Sequence, residues 1–189
     1  MSRRDLATLY GVGLLPGAPG TWGSAVAAIL AFVILMFPYG WALLLLLVAW
    51  SLWAGTRAST RHMAEFNTAH DPSEIIVDEL NGQWLTYSVW HVWMVVLTSI
   101  DNTVPDFDTV VALLNHIGGS PLELALGFVL FRFFDILKPW PISLADRKVK
   151  GGFGVMFDDV LAGLAAGTVL AVFHVFSPLL LGPVAESAV

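Results

Sequence analysis

FRFFDILKPWPISLADRKVKGGFGVMFDD, residues 131–159, sets a Lys/Arg-rich run, a Gly-Gly pair and four carboxylates between two apolar stretches. Ionisable groups are costly at bilayer depth, so their concentration between apolar runs marks a candidate functional site. The acids Asp135, Asp146, Asp158 and Asp159 suit a divalent cation, and the bases Arg132, Lys138, Arg147, Lys148 and Lys150 suit phosphate. Side by side they point to phosphate chemistry at a membrane surface.

The rest of the chain agrees. Of its 189 residues 57% are hydrophobic and only 13% charged, and the mean hydropathy is +0.75. Soluble domains run nearer one quarter charged. The expectation is therefore a single integral membrane domain over residues 1–189, an all-α polytopic bundle. With no cysteine, disulfides, thiolate metal sites and Cys-nucleophile chemistry are excluded. A net charge of −6 offers no nucleic-acid footprint. Arg3 and Arg4 followed by apolar residues suggest a signal peptide, but Gly11, Gly13, Pro16, Gly17, Pro19 and Gly20 interrupt its apolar core, so an uncleaved segment is expected.

Five apolar segments stand out: Trp22–Phe37, Trp41–Gly55, Trp84–Ile100, Leu122–Leu137 and Gly154–Phe176. Pro38-Tyr39-Gly40 turns the first two into a helical hairpin. Most are shorter than the ~20 residues that span a bilayer comfortably. Flanking aromatics, including eight Trp, can anchor short spans, or one or two segments are re-entrant or interfacial.

All nine Lys/Arg fall at the same ends of these spans: Arg3 and Arg4 before the first, Arg57 and Arg61 after the second, and Arg132, Lys138, Arg147, Lys148 and Lys150 around the end of the fourth. The turn at 38–40, the loop 101–121 and the tail 177–189 contain none. The positive-inside rule then makes the N-terminus cytoplasmic. Segments 11–23, 56–83 and 132–159 converge on the same face.

Within these segments Asp78 and Glu79 are adjacent ahead of the third span, beside apolar Ile75, Ile76 and Val77. They suit a cation, or equally a first-turn charge preference worth a few tenths of a kcal/mol. Arg132 and Asp135 share one helix face, which is compatible with a simple ion pair. Lys138 extends that face before Pro139-Trp140-Pro141 stops the helix. Gly151, Gly152 and Gly154 suit either a phosphate-binding loop or a hinge, without the Gly-Lys-Ser/Thr ending of a Walker A loop. The five histidines, His62, His70, His91, His116 and His174, have no metal spacing, and Asp101, Asp106 and Asp108 lack the Gly and Glu of a calcium loop.

Four blocks together resemble the phosphatidylglycerophosphatase A family: GVGLLPGAPGTWGS (11–24), IIVDELNGQWL (75–85), FRFFDILKPWPI (131–142) and DRKVKGGFGVMFDDVLAG (146–163). Their order fits, and the resemblance covers nearly the whole chain. The matching positions are Pro19, Gly20, Thr21, Gly23 and Ser24, then Asp78, Glu79 and Gly82. Arg132, Asp135, Lys138, Pro139 and Pro141 follow, and then Asp146, Arg147, Gly151, Gly152, Asp158 and Asp159. One departure is that residues 86–121 look longer than the family's corresponding stretch.

The resemblance implies a Mg²⁺-dependent lipid phosphatase of the bacterial inner membrane, acting at the cytoplasmic face on phosphatidylglycerophosphate to give phosphatidylglycerol and inorganic phosphate. On that basis Asp78, Glu79, Asp158 and Asp159 are expected to hold Mg²⁺, with Asp135 a further ligand or general base. Lys138, Arg147 and Arg132 would neutralise the phosphomonoester, and the hydroxyls of Thr21 and Ser24 would face it. The attacking group, water or a carboxylate, stays open. The rivals are a transporter or binding protein for an anionic solute, and a phosphatase for another lipid phosphate such as phosphatidic acid.

Overall fold

The computed structural model describes residues 5–67, 72–99, 107–117 and 121–181, and all regular structure among them is helical. After a 3₁₀ segment at Leu9–Leu14 come α1 (Pro19–Leu35), α2 (Gly40–Phe66), α3 (Val77–Ser99), α4 (Phe107–Ile117), α5 (Pro121–Leu137), α6 (Ile142–Lys148) and α7 (Gly151–Leu181). The expected hairpin between α1 and α2 is present. It turns at Tyr39 (φ 60°), and Gly40 is required because a Cβ there would collide with the Ile34 carbonyl.

Helix α3 lies at the centre, packed by α1, α2, α5 and α7. It carries buried Asn81, Gln83, Thr86, Ser88 and His91, so its first four turns are shielded on all sides rather than amphipathic, while Val92, Trp93 and Val96 beyond them are exposed. Three of its side chains each fasten it to a different neighbour. Asn81 Nδ2 donates to the Val48 carbonyl (2.8 Å) and Ser51 Oγ (2.7 Å) on α2. Trp84 Nε1 donates to the Ala27 carbonyl of α1 (3.0 Å), and the Tyr87 hydroxyl to the Leu124 carbonyl of α5 (2.8 Å). The fourth neighbour, α7, is held by close backbone approach. A Cβ at Gly163 would sit 2.5 Å from the Gly82 oxygen, and one at Gly167 2.5 Å from the Thr86 oxygen. This is the small-x-x-x-small spacing that brings helices together where no hydrophobic driving force separates helix from lipid.

Helices α2 and α7 are long and apolar enough to cross a bilayer, and α1 is a shorter apolar helix. Large apolar side chains face outward on α1, α2, α5 and α7, among them Ile29, Leu46, Trp53, Val129 and Phe176. A continuous outward apolar surface of this kind is what a lipid solvent tolerates and water does not.

Several expected boundaries move. Helix α2 continues past Gly55 to Phe66, because residues 56–66 contain no Gly or Pro: polarity ends an apolar run but not a helix. Helix α3 starts at Val77 rather than Trp84, so the acidic pair lies in its first turn. Part of the expected external loop forms α4, too short at 11 residues to cross a bilayer. Asp101 and Asp106 lie outside the described residues, as do Arg3, Arg4, His70 and the tail from 182. The expected glycine loop is instead the first turn of α7. Gly152 there packs against Thr56 and Thr60 of α2, which explains the glycine by helix approach.

Candidate active site

The site forms where the ends of α1, α3, α5 and α7 meet. The chain preceding α1 sets up the start of α3: the Ala7 carbonyl accepts from the amides of Ile76 (2.9 Å) and Val77 (3.2 Å). Buried His62 of α2 adds a second tie, its ring nitrogens meeting Asp5 Oδ2 at 3.0 Å and Glu74 Oε1 at 2.9 Å. The first turn of α3 is thereby fixed, and with it Asp78 and Glu79.

These two carboxylates and Asp159 of α7 form a group in which one oxygen from each lies within 4.8 Å of the others. Asp78 and Asp159 are buried, at 5% and 3% exposure. Asp135 of α5 adds a further negative charge beside Glu79 and Asp159. Buried oxygens Glu79 Oε2 and Asp159 Oδ2 have no hydrogen-bond partner among the described residues. Like charges so close repel strongly unless a cation lies among them, and unpartnered buried carboxylate oxygens suit a hard cation such as Mg²⁺. The donor set fits that ion.

The bases surround the cluster. Arg132 pairs with Asp135 at 2.5 Å and reaches Ser24 Oγ of α1 at 3.4 Å. Ser24 is buried and donates to the Gly20 carbonyl at 2.9 Å. Gly20 itself lies against Glu79 Oε1 and the Arg132 guanidinium, so any side chain there would intrude between acid and base. Helix α1 begins with Pro19 at its first position and has no side-chain cap, which leaves the positive end of its dipole beside the cluster. Thr21 is half-buried in the same turn.

Lys138 occupies a left-handed conformation (φ 42°) just past α5, where Gly or Asn is usual. A strained backbone at a charged residue is a pointer to function. Its ammonium bridges Asp146 of α6 at 2.7 Å and Asp158 of α7 at 2.5 Å. Partial burial disfavours the Lys138 ammonium, but the hydrogen bonds it donates to both carboxylates push it above its ordinary range. The same contact with Lys138 holds the Asp146 carboxyl below its usual value.

The structure thus joins Asp78, Glu79, Asp135, Asp159, Arg132 and Ser24. Asp158 is one residue from Asp159 but turns to Lys138 and lies outside the close group of three. Arg147 is exposed and its Nε stays within α6, donating to the Ser143 carbonyl at 2.9 Å. Asp5, His62 and Glu74 escaped the sequence reading, since separations of 57 and 12 residues leave no local signal. The Gly163-x-x-x-Gly167 spacing did carry one.

Residues 6–174 match the family model described as Phosphatidylglycerophosphatase A. A Haemophilus influenzae protein named Phosphatidylglycerophosphatase A is 35% identical over 90% of this chain and 86% of its own. An Escherichia coli protein of the same name is 33% identical over 87% of this chain and 79% of its own. A Bacteroides thetaiotaomicron relative, 32% identical over 88% of this chain and 90% of its own, carries a provisional phosphatidylinositol-3-phosphatase name. No solved structure gives a significant match. With a family match over most of its length, the chain belongs to the phosphatidylglycerophosphatase A family and is an enzyme of the phosphatase class.

Proposed function

We propose that the chain hydrolyses phosphatidylglycerophosphate to phosphatidylglycerol and inorganic phosphate, with Mg²⁺ as cofactor, at the cytoplasmic face of a bacterial inner membrane. The observation that carries this reading is the buried group Asp78, Glu79 and Asp159 flanked by Arg132 and Lys138 at one end of an apolar bundle. Helices α1, α2, α3, α5 and α7 would form five spans. The described Lys and Arg residues lie near the end of the bundle that holds the cluster, in keeping with a cytoplasmic site.

Asp78, Glu79 and Asp159 would hold the ion, with Asp135 beside them. When bound, Mg²⁺ supplies charge stabilisation to phosphate oxygens and lowers the pKa of water. Arg132 and Lys138 would receive the remaining phosphate charge, helped by Ser24 and the start of α1. Asp158 and Asp146 hold the Lys138 ammonium in place. In the reaction an oxygen nucleophile adds to phosphorus, the P–O bond to glycerol breaks and the leaving alcohol oxygen takes up a proton. Asp135 pairs with Arg132 beside Asp159 and would move that proton.

Product profiling tests the substrate. Phosphatidylglycerophosphate, phosphatidic acid and phosphatidylinositol 3-phosphate, presented in the same detergent, should show the first hydrolysed with the highest kcat/KM. Preference for either of the others would overturn the headgroup assignment and leave the lipid-phosphatase class standing.

A further inference from the structure

An apolar groove of ≈ 440 Å³ runs between α1 and α5, lined by Ala25, Ala28, Phe32, Ala125, Phe128 and Val129 among others. Its volume is that of a small-ligand pocket. It exists because three positions facing the gap are alanines rather than bulky residues. Along one side Ile29 and Val129 stand well exposed, so the groove opens laterally toward the surrounding lipid.

The groove lies one helical turn from the candidate site. Ala28 follows Ser24 by one turn on the same face of α1, and Phe128 precedes Arg132 by one turn on α5. The contact between Arg132 Nη1 and Ser24 Oγ, at 3.4 Å, stands just beyond its near end. From there to Phe32 is about 12 Å at 1.5 Å rise per residue. That covers most of the ~15 Å of hydrocarbon in one leaflet. A second cavity, of ≈ 270 Å³ and lined by residues of α2, α3 and α4 such as Trp41, Ser88 and Val110, takes no lining residue from α1 or α5, the helices that carry Ser24 and Arg132.

We infer that this groove seats an acyl chain of the lipid substrate while its phosphate lies among Arg132, Lys138 and the carboxylates. The inference rests on the proposed lipid-phosphatase function and adds where the lipid tail goes. A phosphate held at the Ser24–Arg132 end leaves its glycerol and first acyl carbons at the mouth of the groove, so the chain runs toward the bilayer midplane without leaving the protein. Binding energy from this remote part of the substrate then positions the phosphoester for reaction. The occupant is the substrate's own chain, not a bulk lipid that exchanges freely.

The test uses wild-type protein in detergent and a non-hydrolysable phosphonate analogue of phosphatidylglycerophosphate with a photoactivatable diazirine on one acyl chain. The expected result is crosslinking concentrated in residues 25–32 and 121–129, at least about fivefold above that of the same probe lacking the phosphonate. Labelling spread equally over outward α7 residues such as Val172 and Phe173, or identical for the two probes, would overturn the inference by showing bulk lipid contact. A second measurement fills the groove with Ala125→Phe. The ratio of kcat/KM for a long-chain to a dihexanoyl substrate should fall about tenfold relative to wild type, whereas Val172→Phe should leave that ratio as in wild type. An unchanged ratio in Ala125→Phe would also overturn it. Failure of the phosphatase reading would appear separately, as no phosphate release by wild type from either substrate.

Discussion

Gly163 of α7 lies against the backbone of α3 so closely that a Cβ would sit 2.5 Å from the Gly82 carbonyl oxygen. Asp159 stands four residues before Gly163, and Asp78 four before Gly82. The glycine contact therefore sets the spacing of the acidic group one turn away. Gly163→Val should separate the helices, lower stability by about 1–3 kcal/mol and reduce kcat by about a hundredfold or more. Thermal unfolding in detergent and phosphate release check the two effects. Wild-type kinetics in Gly163→Val would show that the contact does not position the site.

The carboxylates should separate by role. Asp78→Asn, Glu79→Gln and Asp159→Asn should each raise the Mg²⁺ concentration for half-maximal activity by about tenfold to a hundredfold. Asp158→Asn should leave that concentration near wild type and instead raise KM, because Asp158 holds Lys138. Mg²⁺ titrations of activity distinguish the two patterns, and a metal defect in Asp158→Asn equal to that in Asp159→Asn would merge their roles.

Arg132 touches Asp135 and Ser24 and borders Gly20, contacts that a planar guanidinium makes together and an ammonium does not. Arg132→Lys should therefore lose most of the activity lost by Arg132→Ala, for which a drop of about a hundredfold to a thousandfold is expected. Full rescue by lysine in a steady-state assay would reduce Arg132 to a point charge.

The Lys138–Asp146 contact has a defined pH window. Folding raises the lysine above its ordinary value of 10.5, so its contribution is fully present below that pH and is lost as pH rises through the higher folded value. Folding lowers Asp146 below 3.8, so its contribution is present above that pH and is lost as pH falls through the lower folded value. Between pH 5 and 9 the bridge is constant, at about full strength. The neutral-range pH–rate profile should thus keep its shape in Asp146→Asn, and an inflection displaced by about one pH unit or more would contradict this.

His62 is buried, and its two ring nitrogens are taken up by Asp5 and Glu74 rather than by the acidic group. His62→Ala should cost about 1–3 kcal/mol by leaving their carboxylates without this partner. The loss should appear mainly as a lower melting temperature. A large fall in kcat with unchanged melting would give the histidine a direct catalytic role instead.

The apolar runs make the helical class legible in the sequence, and the four blocks contain Ser24, Asp78, Glu79, Arg132, Asp135 and Asp159, which lie together in the structure. Position along the chain did not show which acids converge. Asp158 and Asp159 are neighbours in sequence, but on a helix consecutive residues point about 100° apart, so one faces Glu79 and the other Lys138. Polarity alone does not mark a helix end, and α2 runs on through polar residues 56–66. Central α3 was read as an ordinary apolar span, although its polar side chains are the bolts that hold α1, α2 and α5. Contacts across long sequence separations, such as His62 with Asp5, have no periodicity to reveal them.

The central claim is that a cation held by Asp78, Glu79 and Asp159 supports hydrolysis of a lipid phosphomonoester. Its most direct test is phosphate release from phosphatidylglycerophosphate by the detergent-purified protein, titrated with Mg²⁺, quenched with excess EDTA and then resupplied. The account predicts release that requires Mg²⁺, stops with EDTA, returns on resupply and is lost in Asp159→Asn. Release that continues undiminished in EDTA, or at wild-type rate in Asp159→Asn, would contradict it.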